Sequence, residues 1–425
     1  MTTTPTFAVD VAHNKHLARG TAEADAIITV TATDADPATS HAAIVIMLDT
    51  SASMFRPSKL AAARRAACAA IDALRDGTSF AVIAGTDKAD MVYPEERRLA
   101  VAGEDTRADA RQAIEGIAAH GGTAMSRWLW LADELFAMSG CEVKHGILLT
   151  DGRNTSEPAE DLASTLDRLR GRFTCTCRGV GTDWEVGELR QIADALLGDV
   201  DIIAEPDELA ADFSTIAART MRKSVPDVAL RLWTPQHSEV TELRQVDPSV
   251  ADLTEHGRRS QQQATDFPTG AWEQETRAYH ARIAMRPGGI GERMLVCRAS
   301  IVGGGTQSKP VKIVVSWTDD YGRYGIIDPT VAHYTGQEEL AEAIQDGLAA
   351  RREGDLDTAT GKLGRAVALS NEFGHAEASR LLSKVVDIDD AVTGKVRLKQ
   401  TVSAVDEMTL DTRSVVTSRM RRSGT

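Results

Sequence analysis

The stretch "AAIVIMLDTSASM", residues 42–54, decides the fold of the first half of this chain. Its first seven residues are apolar without interruption, which is typical of a strand buried on both faces of a parallel sheet. The run ends at Asp49, and Ser51 and Ser53 follow at alternate positions. Oxygen-bearing side chains that come directly after a buried strand indicate a site at the carboxyl edge of a sheet.

Short apolar runs alternate with amphipathic stretches from about residue 40 to 224. This alternation predicts an α/β fold with a doubly wound, mostly parallel sheet. The predicted strands are 42–48, 79–85, 145–150, 173–180 and 200–204, with an edge strand at 90–94. The predicted helices run from Pro57 to just before Gly77 and over 106–118, 125–138, 159–171, 185–197 and 206–223.

The sequence on either side of this region has a different pattern. Residues 226–318 contain segments that alternate between apolar and polar residues, which predicts an antiparallel β-sandwich. Residues 6–33 have the same pattern but are too few to bury a face alone. We therefore expect N-terminal strands within 1–38 to complete a sandwich at 225–330, with the α/β domain, 39–224, inserted into one of its loops.

A helical segment is predicted over residues 331–390. Gly347, Ala359 and Ala366 fall at small-residue positions that resemble one tetratricopeptide hairpin. An ordinary helical cap on the sandwich is the alternative interpretation.

The last segment, residues 391–425, ends in a polar and hydroxyl-rich stretch that predicts disorder. Two interpretations remain open for it. One is a solvated end without a role. The other is a peptide that a phosphopeptide-binding protein recognises, with Thr409, Thr412 and Thr417 as candidate phosphorylation sites.

The charge balance limits the classes of partner. The chain has 62 acidic and 48 basic residues and a formal net charge of −14, which argues against binding to nucleic acid or to an anionic membrane. No apolar run approaches the roughly 18–20 residues that span a bilayer, and the N-terminus lacks the pattern of a signal peptide. The five cysteines do not form a disulfide pattern. We expect a cytoplasmic protein.

Two further oxygen-bearing segments of the α/β region belong to the same predicted edge as residues 49–53. Asp49, Ser51 and Ser53 follow one strand, Asp151 follows another in "ILLTDG", and Thr123 lies in "HGGTAM" before a helix. Hard oxygen donors favour Mg²⁺, Mn²⁺ or Ca²⁺ over zinc or copper, so the sequence predicts a divalent-cation site. The alternative is that the serines cap the first helix and that Asp49 bonds to backbone at the strand end.

The segments "DTSASM", "GGT" and "LLTDG", in this order, resemble the metal-ion-dependent adhesion site of von Willebrand factor type A domains, over roughly residues 40–224. The resemblance implies that Ser51, Ser53 and Thr123 bind the ion directly, while Asp49 and Asp151 act largely through water. It further implies a bacterial intracellular protein that acts beside chaperone-like ATPases or in signalling clusters.

An ion held by neutral hydroxyls keeps its charge and a position for an outside anion. The side chain of Asp or Glu from a partner protein fits that position, so we predict a cation-dependent protein-binding adaptor rather than an enzyme. The alternative is a Mg²⁺- or Mn²⁺-dependent hydrolase or phosphoryl-transfer enzyme. The Gly-rich stretches at 288–293 and 303–309 lack the order of a phosphate-binding loop, and no G-x-S-x-G motif is present.

Overall fold

The computed structural model describes residues 5–33, 41–55, 57–203 and 205–419. Strands and helices are numbered separately in chain order. The strands are β1 (Thr6–His13), β2 (His16–Ala18), β3 (Glu23–Thr33), β4 (Ala42–Asp49), β5 (Ser79–Gly85), β6 (Ala89–Tyr93), β7 (Ala100–Val101), β8 (Val143–Thr150), β9 (Thr174–Val180), β10 (Val200–Ile203), β11 (Val225–Trp233), β12 (Ser238–Asp247), β13 (Ala251–Asp252), β14 (Arg258–Gln261), β15 (Ala264–Trp272), β16 (Thr276–Met285), β17 (Arg293–Gly303), β18 (Thr306–Gln307), β19 (Val311–Thr318), β20 (Val386–Asp390) and β21 (Lys395–Leu398). The helices are α1 (Pro57–Asp72), α2 (Glu104–Glu115), α3 (Met125–Met138), α4 (Ala159–Leu169), α5 (Val186–Ala195), α6 (Leu209–Arg222), α7 (Tyr321–Tyr324), α8 (Pro329–Glu353), α9 (Leu356–Glu372), α10 (Ala376–Val385) and α11 (Ala404–Arg413).

The chain forms two compact units, and the first contains residues 41–227 and 270–273. Its sheet has the strand order β10-β9-β8-β4-β5-β6, and β7 also pairs with β5. The strands from β10 to β5 are parallel, whereas β6 and β7 run antiparallel to β5. The predicted doubly wound, mostly parallel sheet is therefore confirmed, and the predicted edge strand is β6, which runs antiparallel to β5.

Strand β4 lies in the middle of this sheet, and all eight of its residues are buried. Ile44, Ile46 and Leu48 contribute to one core, which they share with α1, α2 and α6. The alanines of α1, among them Ala63 and Ala67, allow a close approach to α6 because their side chains are small. Helix α3 packs against β4 and β5, and α5 packs against β9.

The second unit contains residues 5–33, 228–269 and 274–419. One of its sheets has the order β1-β3-β16-β12-β13, and the other has the order β14-β15-β11-β17-β19-β2, with β18 paired to β17. Strand β3 pairs antiparallel with β16 along its length, from Thr31 opposite Thr276 to Glu23 opposite Ala284. The predicted pairing of the N-terminal strands with strands of residues 226–318 is thus present. The exact domain limits at residues 38, 224 and 330 stay predictions.

The helices of the second unit share a core with segments that follow them. Leu348 of α8, Leu363 of α9 and Leu382 of α10 pack with Val396 of β21 and Leu410 of α11. The predicted disorder of residues 391–425 is therefore wrong for residues 391–419, and residues 420–425 lie outside the described part of the chain. The helical segment predicted over 331–390 likewise ends early, because residues 386–390 form β20. No helix among the described residues is long and apolar enough to cross a membrane.

The segment after α11 is attached to the sheet side of this unit. The Val415 carbonyl accepts a hydrogen bond of 2.7 Å from the Val250 amide. The Arg419 guanidinium lies 2.7 Å from the carboxylate of Asp247, which is 4% exposed. Arg419 is one of the polar residues on which the prediction of disorder was based, yet it is held by an aspartate that is distant in sequence.

Two of the three candidate phosphorylation sites have hydroxyl partners within α11. Thr412 is 3% exposed and donates a 2.9 Å hydrogen bond to the Met408 carbonyl. Thr409 is half-buried and donates to the Val405 carbonyl at 2.6 Å, and Thr417 is half-buried as well. Both Thr409 and Thr412 lie inside α11. Thr409 and Thr412 are therefore not the exposed hydroxyls that the phosphopeptide interpretation expects, and recognition of Thr417 stays a prediction.

Candidate metal site

The two predicted aspartates lie side by side at the carboxyl edge of the first unit's sheet. Asp49 is the last residue of β4, and Asp151 directly follows β8. These strands are parallel neighbours in which Leu48 is paired with Leu149, so both chains leave the sheet at the same level. Asp49 and Asp151 are both fully buried.

A chain of oxygen atoms connects the first segment to Asp151. The Ser51 and Ser53 hydroxyl oxygens lie 2.8 Å apart, and the Ser53 hydroxyl donates a 2.5 Å hydrogen bond to Asp151 Oδ1. The Ser51 amide donates to Asp49 Oδ1 at 2.8 Å. Ser51 is 2% exposed, whereas Ser53 is exposed. The exposed Ser53 thus connects the buried Ser51 to the buried Asp151.

The loop that carries Thr123 is attached to the first segment by backbone hydrogen bonds. The Ala52 amide donates to the Gly121 carbonyl at 3.0 Å, and the His120 amide donates to the Thr50 carbonyl at 2.7 Å. Gly121 has a φ of +73°, a left-handed conformation that favours glycine. Gly121 therefore allows the backbone before Thr123 to turn toward the first segment.

Thr123 lies beside the serines, close to Gly152. A Cβ atom at Gly152 would lie 3.1 Å from Ser53 Oγ and 3.8 Å from Thr123 Oγ1, so both hydroxyls lie against this glycine. Ser156 fixes the Thr123 backbone, since its Oγ accepts from the Thr123 amide at 3.0 Å and its amide donates to the Thr123 carbonyl at 2.9 Å. The structure therefore brings all five predicted residues together.

Asp49 lies in surroundings that disfavour its negative charge. Burial raises its pKa to about 6, hydrogen bonds from Ser51 and Thr150 oppose the rise, and the charge of Asp151 adds to it. Thr150 donates the second of these bonds to Asp49 Oδ2 at 2.5 Å. Asp49 does bond to backbone at the strand end, as the alternative interpretation states, but the same carboxylate belongs to the oxygen cluster. A bound cation would relieve the crowding of two buried carboxylates.

Trp128 supports the Thr123 loop from behind. Its buried indole N–H donates to the Thr86 carbonyl at 2.7 Å, and the Ala124 amide donates to the same oxygen at 3.0 Å. The ring lies so close to Gly85 that a Cβ atom there would be 2.3 Å from Cε2. Trp130 is 36% exposed, as expected for a residue on another helix face.

Sequence reasoning missed several side chains at this edge. Lys59 Nζ lies 2.6 Å from Asp151 Oδ2 and 3.2 Å from Asp183 Oδ2. Thr150 and Ser156 support Asp49 and Thr123, as described above. Thr150 lies within the quoted "LLTDG" segment, so the sequence could have identified it. The Lys59 contact spans 92 residues of sequence, and no local pattern indicates it.

The donor set suits a hard cation. No group of three or more His, Cys, Asp and Glu side chains among the described residues is arranged to hold a metal ion. A metal at this edge would therefore depend on three hydroxyls and two carboxylates, which are ligands that Mg²⁺, Mn²⁺ and Ca²⁺ accept. Cys175 and Cys177 are buried in β9 and serve as core residues. The residues present fit a divalent cation.

A doubly wound α/β domain with hydroxyls and carboxylates at its sheet edge, joined to antiparallel sheets, defines a class close to the von Willebrand factor type A proteins. Comparison with protein families agrees. The model of the von Willebrand factor type A domain matches residues 42–202, and the model of the von Willebrand factor type A C-terminal domain matches residues 368–414.

Solved structures extend this likeness over the whole chain. A von Willebrand factor type A protein from Catenulispora acidiphila is 44% identical, covers 99% of this chain and 98% of its own, and superposes with a TM-score of 0.93. The chain therefore belongs to the von Willebrand factor type A family. The ArnB paralog VWA2 from Sulfolobus acidocaldarius is 15% identical, covers 96% of this chain and 97% of its own, and has a TM-score of 0.60, which shows a shared fold. A comparison with curated proteins gives no significant match.

Proposed function

We propose that this protein is a divalent-cation-dependent adaptor that docks an acidic side chain of a partner protein at a metal-ion-dependent adhesion site. The five residues of this site are Asp49, Ser51, Ser53, Thr123 and Asp151. The observation that carries the proposal is the position of the exposed Ser53, whose hydroxyl bonds both to the buried Ser51 and to the buried carboxylate of Asp151. A cation bound there would be accessible from one side.

The choice of ligands explains why such an ion would attract a partner. The hydroxyls of Ser51, Ser53 and Thr123 are neutral, and the family resemblance implies that they hold the ion directly. Mg²⁺, Mn²⁺ or Ca²⁺, when bound, would supply a positive charge that the neutral ligands leave uncompensated on the open side. A carboxylate from a partner makes a charge-assisted contact with such a centre.

Because the chain has a negative net charge, an acidic partner should dock only when the divalent cation is bound. At −14 the protein repels an acidic partner at long range, and this repulsion opposes encounter unless a cation provides a local attraction. The same charge argues against nucleic acid and anionic membranes as partners. A chaperone-like ATPase, which the family resemblance implies, is a candidate partner.

Phe55 supplies a second element of recognition. It lies two residues after Ser53, at the end of the 3₁₀ turn Ala52–Phe55, and its side chain is 80% exposed. Exposed aromatic residues beside a charged centre are frequent anchors of protein interfaces. The preferred partner would therefore present an apolar residue close to its Asp or Glu.

The hydrogen bonds of the serines favour an adaptor over the alternative hydrolase. The Ser51 and Ser53 hydroxyls bond to each other, and Ser53 bonds to Asp151. The imidazole of His120, which belongs to the neighbouring loop, has its Nδ1 3.1 Å from the Ala118 carbonyl. The serines are thus held as oxygen donors rather than paired with a histidine base. We expect no turnover of phosphoester substrates in the presence of Mn²⁺.

Paired peptides test this function. Both peptides of a pair have the same apolar residue near the centre, and one has Glu where the other has Gln. Binding of each peptide to the full-length protein is measured with Mg²⁺ and with EDTA. We expect binding only of the Glu peptide and only with Mg²⁺. Thr123→Ala should abolish it, whereas Thr215→Ala, at an exposed position of α6, should leave it unchanged. Equal binding of the two peptides, or binding that persists in EDTA, contradicts the proposal.

A further inference from the structure

Lys59 is the feature of this edge that the adaptor function does not use. It lies in the first turn of α1, and its side chain is 12% exposed. Its ammonium group is 2.6 Å from Asp151 Oδ2 and 3.2 Å from Asp183 Oδ2. The side chain of Asp151 is fully buried, whereas that of Asp183 is 67% exposed. The Lys59 ammonium group is thus shared between the buried carboxylate of Asp151, in the proposed metal site, and the exposed carboxylate of Asp183 outside it.

The ammonium group satisfies a need that a metal ion would otherwise meet. A buried carboxylate is costly unless it is paired, and Lys59 pairs the Oδ2 atom while Ser53 bonds the Oδ1 atom of Asp151. A divalent cation that engages Asp151 would bring a second positive charge close to the ammonium group. The two cations would repel each other and compete for the same carboxylate.

We propose that the Lys59 ammonium group competes with the divalent cation for Asp151. It pairs with Asp151 when no metal is bound and with Asp183 when metal binds. This inference rests on the proposed metal site. Lys59 thereby stabilises the metal-free protein and weakens its metal affinity. The cation concentration at which the adaptor becomes competent is consequently set by this lysine.

Removal of the charge tests the proposal directly. Lys59→Met keeps the aliphatic stem and removes the ammonium group. An opposite charge within 4–6 Å shifts the protonation affinity of a carboxylate by about ten- to a thousandfold, so we expect Mg²⁺ to bind Lys59→Met about ten- to a hundredfold more tightly. The melting temperature in EDTA should fall, because Asp151 loses its partner. Titration calorimetry and thermal unfolding of the full-length protein measure both effects.

Lys144→Met is the matched control. Lys144 lies near the start of β8, whereas the site lies at the end of that strand, about 20 Å away for an extended chain. Its removal changes the net charge equally, and we expect the Mg²⁺ affinity to stay near that of wild type. A Lys59→Met protein with wild-type or weaker Mg²⁺ affinity overturns the proposal.

A second variant has an effect of opposite sign and keeps the proposal testable if Lys59→Met does not fold. Asp183→Asn removes the exposed partner and leaves Lys59 to Asp151 alone, so Mg²⁺ affinity should fall about two- to fivefold, as expected for an exposed ion pair. Glu185 lies two residues after Asp183 and pairs with Arg153 instead of Lys59, so Glu185→Gln should change the Mg²⁺ affinity less. Equal effects of the two substitutions overturn the proposal.

The outcomes separate this inference from the proposed function. If wild type binds Mg²⁺, Asp49→Asn does not, and Lys59→Met binds like wild type, the metal site stands and the competitor role is wrong. If wild type does not bind but Lys59→Met does, the competition is supported. If neither protein binds Mg²⁺, both the metal site and the competitor role are wrong.

Discussion

Gly85→Ala tests how the core positions the Thr123 loop. A Cβ atom at this position would lie 2.3, 2.4 and 2.8 Å from three atoms of the Trp128 ring. The ring must move, because Gly85 belongs to a central strand paired with β4. Overpacking costs about 1–3 kcal/mol, and loss of the indole hydrogen bond to Thr86 adds about 1 kcal/mol. We therefore expect the free energy of unfolding to fall by about 2–4 kcal/mol.

The same displacement should reach the metal site. The Thr86 carbonyl also accepts the Ala124 amide, so a shift of Trp128 loosens the residue next to Thr123. We expect Mg²⁺ affinity to fall about tenfold, which corresponds to about 1.4 kcal/mol. Urea unfolding and titration calorimetry of the full-length protein provide the two measurements.

Gly187→Ala is the control for this substitution. Gly187 lies in α5, and a Cβ atom there would meet nothing within 4 Å. Alanine should stabilise this helix by about 0.5–1 kcal/mol and leave the metal affinity unchanged. If Gly85→Ala is as stable as Gly187→Ala and binds Mg²⁺ equally well, the role given to Trp128 is refuted.

Three further predictions concern docking, the loop and the second unit. Phe55→Ala should weaken capture of a Glu-containing peptide by at least about tenfold without changing Mg²⁺ affinity; a parallel loss of Mg²⁺ binding would refute its role as a partner anchor. Ser156→Ala leaves the Thr123 amide without its acceptor and should lower stability by about 1–3 kcal/mol and weaken Mg²⁺ binding, which calorimetry checks. Burial lowers the pKa of His280, but hydrogen bonds to Asp25 and Glu338 outweigh burial and raise it to about 9 from 6.5. Because the folded state then holds the extra proton, this stabilisation, up to about 3 kcal/mol, is complete below pH 6.5 and lost as the pH rises through about 9. Urea unfolding at pH 6 and pH 10 should show this loss in wild type and not in His280→Gln.

The α/β fold was predictable because its signals are local. The apolar run of β4 is buried on both faces, and each predicted strand of the parallel sheet is present with small changes at its ends. The three site segments were predictable for the same reason, since each follows a strand or precedes a helix. Parallel pairing of β4 with β8 then places Asp49 and Asp151 together.

Interactions between distant segments were not predictable in the same way. Lys59 contacts Asp151 across 92 residues, and Arg419 contacts Asp247 across 172 residues. The end of the chain was predicted to be disordered because its composition is polar. The order of residues 391–419 depends on a few buried residues, such as Val396 and Leu410, and on contacts with the rest of the second unit. Composition does not record these contacts.

The binding of Mg²⁺ to the folded full-length protein tests the central claim most directly. Titration calorimetry should show one ion per chain in wild type and no binding in Asp49→Asn or Thr123→Ala, with circular dichroism spectra that match wild type. Asp90→Asn, which neutralises an exposed aspartate of the same unit, should bind like wild type. Wild-type affinity in a folded Asp49→Asn or Thr123→Ala protein would contradict the assignment of the metal site.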